Sequence, residues 1–160
     1  MNGHTRPRRA LAAAAGTAFE ERSPDPAEPA LRIAAEEGGV RTVALAPEAG
    51  SARLRRVINK GLTEEDLARA ATSLAQAGID QLRLYFMVGL PTETTEDVRE
   101  IARLTKHLQH RVIKETRGKR KFRQITLSVA SFVPKPWTPF QWVPFGDIKE
   151  LKERQKLIRQ

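Results

Sequence analysis

The sequence predicts an α/β fold, a partial (incomplete) α/β barrel in which about three parallel strands alternate with helices. Apolar and β-branched runs typical of buried strands occur at residues 40–46, 81–88 and 125–133. Segments with helical spacing separate them, and each is long enough for a crossover between parallel strands. A chain of 160 residues has the size of about one domain. Because three strands do not close a barrel, the predicted barrel is incomplete.

The composition excludes several classes of protein. The chain contains no cysteine, which removes disulfides, zinc–thiolate and iron–sulfur ligation, and a cysteine nucleophile. Its three histidines, His4, His107 and His110, are too few for a histidine-rich metal centre. No apolar run approaches the roughly 18 residues that a membrane-spanning helix needs. We therefore expect a cytoplasmic protein with no membrane partner and no metal ligands of its own.

The first 30 residues are predicted to form a disordered leader, because they are rich in alanine and proline and poor in large apolar residues. The arginines within residues 6–9 precede an alanine run, as in a signal peptide, but that run lacks the bulky residues needed for insertion. We predict three regions: the leader (1–30), the partial barrel (31–146) and a basic C-terminal helix (147–160).

The helices are predicted from their caps and their spacing. Pro47 should end the first strand, and a short helix is expected over residues 51–58. Thr63 has the features of an N-cap, because three acidic residues follow it where the helix dipole favours negative charge. Gly78 is placed just beyond the end of that helix. After the second strand, Thr94 or Thr95 is expected to cap a further helix.

An incomplete barrel leaves strands without neighbours. We expect an unpaired edge on the first strand, with Leu45, Leu82, Leu84 and Phe86 partly uncovered. The predicted consequence is a marginal monomer that associates, or that needs a partner chain carrying the missing half-barrel.

The carboxyl ends of parallel strands lie on one rim, where α/β folds place their sites. This rim should bring together residues 48–51, 89–93 and 131–138. Glu48 at a strand tip can accept two hydrogen bonds from the vicinal diol of a ribose. Alternatively it caps the following helix or pairs with Arg55, while Ser51 can cap that helix.

Two further rim segments contain unusual residues. Gly89 allows a flat ligand to approach the backbone, although an ordinary Gly-Pro turn between strand and helix is the better explanation of this short segment taken alone. Residues 132–142 contain three prolines and four aromatic residues, so they form neither a helix nor a central strand. This segment is expected to be a rigid flap over a core, or to stack on a substrate ring through Trp137, with Lys135 meeting an anion.

Together the three segments resemble one family. The sequences TVALAPEAGSARLRRVINKG (42–61), LYFMVGLPTET (84–94) and SFVPKPWTPFQW (131–142) resemble the later half of the radical S-adenosylmethionine (SAM) core. The resemblance is greatest to the branch associated with cobalamin-binding domains, and it is more distant to methylthiotransferases and the Elongator-type acetyltransferase subunit. It covers residues 31–145, in order and at plausible spacing.

The resemblance implies a set of SAM-binding residues. Glu48 stands where the family holds the SAM ribose, and Lys60, twelve positions later, stands where it pairs with the methionine carboxylate. Ser51 is implied to assist. The adenine is implied to lie against backbone of residues 88–90 (Val88, Gly89 and Leu90), with Ser131 on the far wall.

The chain departs from the family at its defining motif. The Cys-x3-Cys-x2-Cys loop that holds the [4Fe–4S] cluster is absent, as is the glycine-rich segment that grips the SAM amino group. We therefore expect a fragment that retains ribose, carboxylate and adenine contacts but is not catalytic alone. An ordinary barrel enzyme with Glu48 as general base is disfavoured, because only Glu93 offers it a partner on the rim.

A nucleic-acid-binding module is the alternative reading. The last 60 residues hold fifteen Lys and Arg against four acids. Within residues 110–123, four cations are candidates for RNA phosphates and Phe122 for base stacking; the cations are Lys119, Arg120, Lys121 and Arg123. A solvated connection between helix and strand explains the same run. With no carboxylate expected nearby, His107 and His110 are predicted to be surface residues.

Overall fold

The computed structural model describes residues 41–159, which form a three-stranded parallel sheet with four helices. The strands are β1 (Thr42–Glu48), β2 (Gln81–Val88) and β3 (Gln124–Ser131), and β2 lies between the other two. This confirms the predicted arrangement of parallel strands alternating with helices. The predicted leader (1–30) lies outside the described residues.

Strand β1 runs two residues further than the sequence predicts. Pro47 lies inside the strand rather than at its end, and the pairing of β1 with β2 shifts register between Leu45 and Glu48. Proline lacks an amide hydrogen, so it is tolerated at an irregularity on an edge strand. Glu48 thereby becomes the last residue of the strand.

The helices are α1 (Ala52–Val57), α2 (Glu64–Gln76), α3 (Thr95–Glu115) and α4 (Ile148–Ile158). Thr63 and Thr94 each form a capping box with the acid three residues later, which confirms both predicted N-caps. Gly78 follows the C-cap of α2 with a φ of 87°, as predicted. None of these helices within residues 41–159 is long and apolar enough to cross a membrane.

The core lies between one face of the sheet and helices α2 and α3. Leu82, Leu84 and Phe86 are fully buried there, so the prediction that they are partly uncovered was wrong. The two helices α2 and α3 cover this face of the sheet, so the missing strands do not expose these side chains. Leu45 is half-buried, as expected.

The opposite face of the sheet is open within the described range. Arg83 and Tyr85 alternate with the buried residues of β2 and are exposed. Parallel sheets are ordinarily covered on both faces. The open face carries a mixture of polar and small or apolar residues, such as Arg83, Thr126 and Ala130, whereas a packed barrel interior would carry mainly large apolar side chains.

Gly50 provides a test of how closely the β1–α1 turn packs against α3. A Cβ atom on Gly50 would lie 2.3 Å from the backbone nitrogen of Ile101. We predict that Gly50→Ala lowers the free energy of unfolding by about 3 kcal/mol, because helix backbone cannot move aside. Urea denaturation measures the change.

Gly61→Ala is the matched control. Nothing lies within 4 Å of a Cβ atom there, so its stability should change little. Equal stability of the two variants would contradict the packing of the turn against α3.

Candidate functional site

The two charged residues expected to contact SAM lie side by side. Lys60 Nζ is 3.6 Å from Glu48 Oε1, and both side chains are about one-third exposed. Glu48 has a φ of 66°, in the left-handed region that residues other than glycine rarely adopt. The turn at the end of β1 therefore directs an accessible carboxylate next to an accessible ammonium.

Lys60 is placed by the loop that follows α1. Asn59 has a φ of 54°, and the Lys60 amide donates to the carbonyl of Arg55 at 2.8 Å. The alternative in which Glu48 pairs with Arg55 was wrong, because the Arg55 side chain donates to backbone carbonyls instead. Burial lowers the pKa of Arg55 from its ordinary value.

Ser51 is the N-cap of α1, as predicted. Its hydroxyl accepts from the Leu54 amide at 3.1 Å and donates to Asp97 Oδ1. The hydroxyl is thus used within the protein, and Ser51 supports the rim by fixing the start of α1.

Asp97 joins the loops that follow β1 and β2. Its carboxylate accepts from Ser51, from the guanidinium of Arg53, and from the amide and hydroxyl of Thr94. Burial alone would raise the pKa of Asp97, but these hydrogen bonds outweigh it and hold the pKa well below its usual range. Sequence reasoning missed this cluster; the Thr94-x-x-Asp97 spacing was its only local signal.

Gly89 forms the turn after β2 with a φ of 83°. Its amide donates to Glu93 Oε2 at 2.7 Å, and the same oxygen accepts from Arg154 Nη1 of α4 at 2.7 Å. The Glu93 side chain is 1% exposed, and burial raises its pKa. Leu151 also packs over this turn, since a Cβ on Gly89 would lie 2.6 Å from its Cδ2. Helix α4 therefore stabilises the turn.

Much of the backbone expected to meet adenine already has partners. The Val88 carbonyl accepts from the Phe132 amide at 2.8 Å, and the Leu90 carbonyl accepts from the Glu93 amide at 3.1 Å. With the Gly89 amide held by Glu93, the Gly89 carbonyl and the Leu90 amide remain as candidates. Ser131 pairs with Val88 in the sheet, so both reach the same carboxyl edge as predicted.

The aromatic segment after β3 only partly matches the expected flap. Phe132 and Phe140 pack edge to face, with ring centroids 6.1 Å apart. Trp137 and Trp142 are instead 95% and 88% exposed, and Trp137 has a φ of 64°. Lys135 is also exposed. The tryptophans therefore present free ring faces and do not cover the core of the described domain.

The basic segment does not have the geometry of a base-stacking site. Phe122 is buried in the core, and Gln109 holds its backbone amide and carbonyl, so the base-stacking prediction was wrong. A phenyl ring at this position gains more from the apolar core than from solvent exposure. The exposed residues 119–121 lie at the amino end of β3, away from the rim, and Arg123 lies 3.3 Å from Asp80.

His107 and His110 lie within α3. The expectation that neither histidine has a nearby carboxylate was wrong for His107, because Nε2 lies 3.7 Å from Glu64 Oε1. Among the residues that the structure describes, no three His, Asp or Glu side chains form a group that could hold a metal ion.

The parallel sheet and its helices define an α/β protein. Its charged pair lies at the carboxyl ends of the strands, where α/β barrels place their ligand sites. The sequence model of the radical SAM superfamily matches residues 9–105, and this chain belongs to that superfamily. It is also 38% identical over 121 residues to the uncharacterized protein MJ0966 of Methanocaldococcus jannaschii. The match covers 74% of this chain and 25% of MJ0966, so the chain spans about a quarter of that relative's length.

Intact members of this superfamily use SAM together with a [4Fe–4S] cluster. The chemistry of the charged pair is compatible with SAM. The accessible carboxylate of Glu48 can accept from sugar hydroxyls, and the adjacent ammonium of Lys60 can donate to a carboxylate. The cluster does not fit, because thiolates are its ligands and these 160 residues include no cysteine.

Because the pKa of Asp97 is lowered in the fold, the contribution of Asp97 to stability should depend on pH. The pKa of an aspartate carboxyl is about 3.9 in an unfolded chain, and the fold lowers it. The ionised Asp97 therefore contributes its full stabilisation above the unfolded pKa, and this contribution is lost as the pH falls toward the folded pKa. We predict that Asp97→Asn lowers the free energy of unfolding by about 2 kcal/mol at pH 7, with a smaller difference at pH 3. Urea denaturation at several pH values measures it.

Glu96→Gln is the matched control for this experiment. Glu96 is exposed and pairs with Arg99 on the surface of α3, so its substitution should have a small effect at every pH. A loss for Asp97→Asn that is equal at pH 3 and pH 7 would contradict the assigned ionisation.

Proposed function

We propose that this chain forms the part of a radical SAM enzyme that binds the ribose and the methionine carboxylate of SAM. The observation that carries the proposal is the pairing of Glu48 and Lys60 across 3.6 Å at the rim. Superfamily membership supports it, and so does the resemblance of residues 42–61 to the family's core.

Each charged group suits one part of the ligand. The two oxygens of Glu48 can accept from the two hydroxyls of a vicinal diol, which is the recognition expected for a ribose. The ammonium of Lys60 supplies donors for a carboxylate. Ligand binding then replaces a loose ion pair by two charge-assisted contacts, one to the ribose and one to the methionine carboxylate of the same molecule.

The remaining contacts concern the adenine and the substrate. The Gly89 carbonyl and the Leu90 amide are the proposed backbone contacts to the adenine ring, with Ser131 on the neighbouring strand end as the far wall. Ser51 contributes by fixing the start of α1. Trp137 and Lys135, both exposed beyond β3, are proposed to meet a substrate ring and an anionic group.

The reductive chemistry belongs to the cluster, which supplies the electron that cleaves SAM in intact members. Since this chain has no thiolate, we propose that it is not catalytic alone and that another region or chain supplies the cluster half of the barrel. The open face of the sheet and the free edges of β1 and β3 in the described part are consistent with such a partner.

The proposal is tested by measuring SAM binding to the 160-residue chain. We predict weak binding in the wild type, and a further loss of about tenfold or more in Glu48→Gln and in Lys60→Met, because each removes a charge-assisted contact. Isothermal titration calorimetry, or NMR titration at millimolar SAM, measures the dissociation constants.

Lys106→Met and Glu96→Gln are the controls, since both residues are exposed on α3. They should bind SAM as the wild type does. Wild-type affinity in Glu48→Gln and Lys60→Met would refute the proposed contacts.

A further inference from the structure

Arg55 is a buried cation whose partners are all backbone carbonyls. It lies in α1 and is 1% exposed. Its Nη1 donates to the carbonyls of Ala49 at 3.0 Å and Gly50 at 2.8 Å, and its Nε donates to the carbonyl of Leu62 at 3.0 Å. Its Nη2 is buried with no hydrogen-bond partner among the described residues.

The three acceptors lie in the two segments that hold the charged pair. Ala49 and Gly50 directly follow Glu48, and Leu62 lies two residues after Lys60. The backbone carbonyl of Arg55 also accepts from the Lys60 amide at 2.8 Å. One residue therefore connects the turn after β1 to the loop after α1 through its side chain and its backbone.

We propose that Arg55 is a positioning residue that fixes Glu48 and Lys60 at the spacing needed to bind SAM. This inference rests on the proposed function of that pair. In this role Arg55 acts on the ligand site through the backbone of the two segments that it joins.

Backbone strain on both sides of Arg55 supports this role. Glu48 and Asn59 both have positive φ values, 66° and 54°. Strained conformations of this kind persist only where the surrounding structure over-determines them, and they concentrate at functional sites. Two of the carbonyls bound by Arg55 lie one and two residues beyond Glu48, and the third lies three residues beyond Asn59, so its hydrogen bonds restrain both turns.

The chemistry of the residue also favours positioning over simple packing. Burying a cation without a carboxylate partner is unfavourable, and an apolar side chain would fill the same space without that penalty. A guanidinium, in contrast, directs donors from a rigid plane toward several acceptors at once. Arg55 uses this planar arrangement of donors to bind carbonyls of the turn after β1 and of the loop after α1.

The neighbouring arginines of α1 have different environments. Arg53 binds Asp97 and the backbone carbonyl of Thr92, whereas Arg56 is exposed to solvent. Arg56→Met is therefore a matched control, with the same change of residue type one position away.

The test compares Arg55→Met, Arg55→Lys and Arg56→Met in the full 160-residue chain. The readouts are the dissociation constant for SAM and amide hydrogen exchange, which reports loop order without any ligand. For Arg55→Met we expect at least tenfold weaker SAM binding and at least tenfold faster exchange of the Lys60 amide. The amides of β2 should change less than twofold, and Arg56→Met should resemble the wild type in both readouts.

Several results would overturn the proposal. Wild-type SAM affinity in a folded Arg55→Met variant would do so, and so would equal acceleration at Lys60 and throughout β2, which indicates a general loss of stability. If Arg55→Met does not fold, Arg55→Lys decides. It keeps the charge but not the planar set of donors, so SAM binding should weaken while β2 stays protected, and unchanged affinity overturns the proposal.

Failure of the proposed function is distinguishable from failure of this inference. If the wild type binds no SAM at millimolar concentration, the proposed function fails. The exchange rate of the Lys60 amide then tests separately whether Arg55 holds the loop. Selective acceleration in Arg55→Met supports this role, and an unchanged exchange rate overturns it.

Discussion

The carboxylate of Asp97 is the interaction on which the geometry of the rim depends. It collects donors from Ser51 and Arg53, which follow β1, and from Thr94, which follows β2. Two strand ends that are far apart in sequence are thereby joined at one buried group. A buried carboxylate that loses its hydrogen-bond donors strongly destabilises the fold. Separation of the loops after β1 and β2 is therefore unfavourable, because it would leave Asp97 without these donors.

Arg55 performs the complementary task on the other side of α1. Asp97 is a buried anion surrounded by donors, whereas Arg55 is a buried cation surrounded by backbone acceptors. The first fixes the start of α1 against α3, and the second joins the turn that follows Glu48 to the loop that carries Lys60. A helix of only six residues has little stability of its own, so these two groups decide its placement.

Local signals predicted the fold well, and long-range contacts account for what was missed. The caps at Thr63 and Thr94 were predictable because their partners lie three residues away. The burial of Phe122 and the Asp97–Arg53 pair were not predictable, because each depends on residues that are distant in sequence. The family resemblance implied that Glu48 and Lys60 serve one ligand, but the ion pair between them was not predicted, since their spacing alone indicates no contact.

The two buried carboxylates of the rim respond to acid in opposite ways, although each is paired with an arginine. Burial raises the pKa of Glu93, so its charged form is disfavoured in the fold and its protonation at low pH relieves an unfavourable charge. The pKa of Asp97 is lowered by its hydrogen bonds, so its protonation removes a stabilising charge. Acid should therefore weaken the contact that Asp97 makes between α1 and α3. The contact of α4 with Glu93 and Gly89 should be less sensitive to acid.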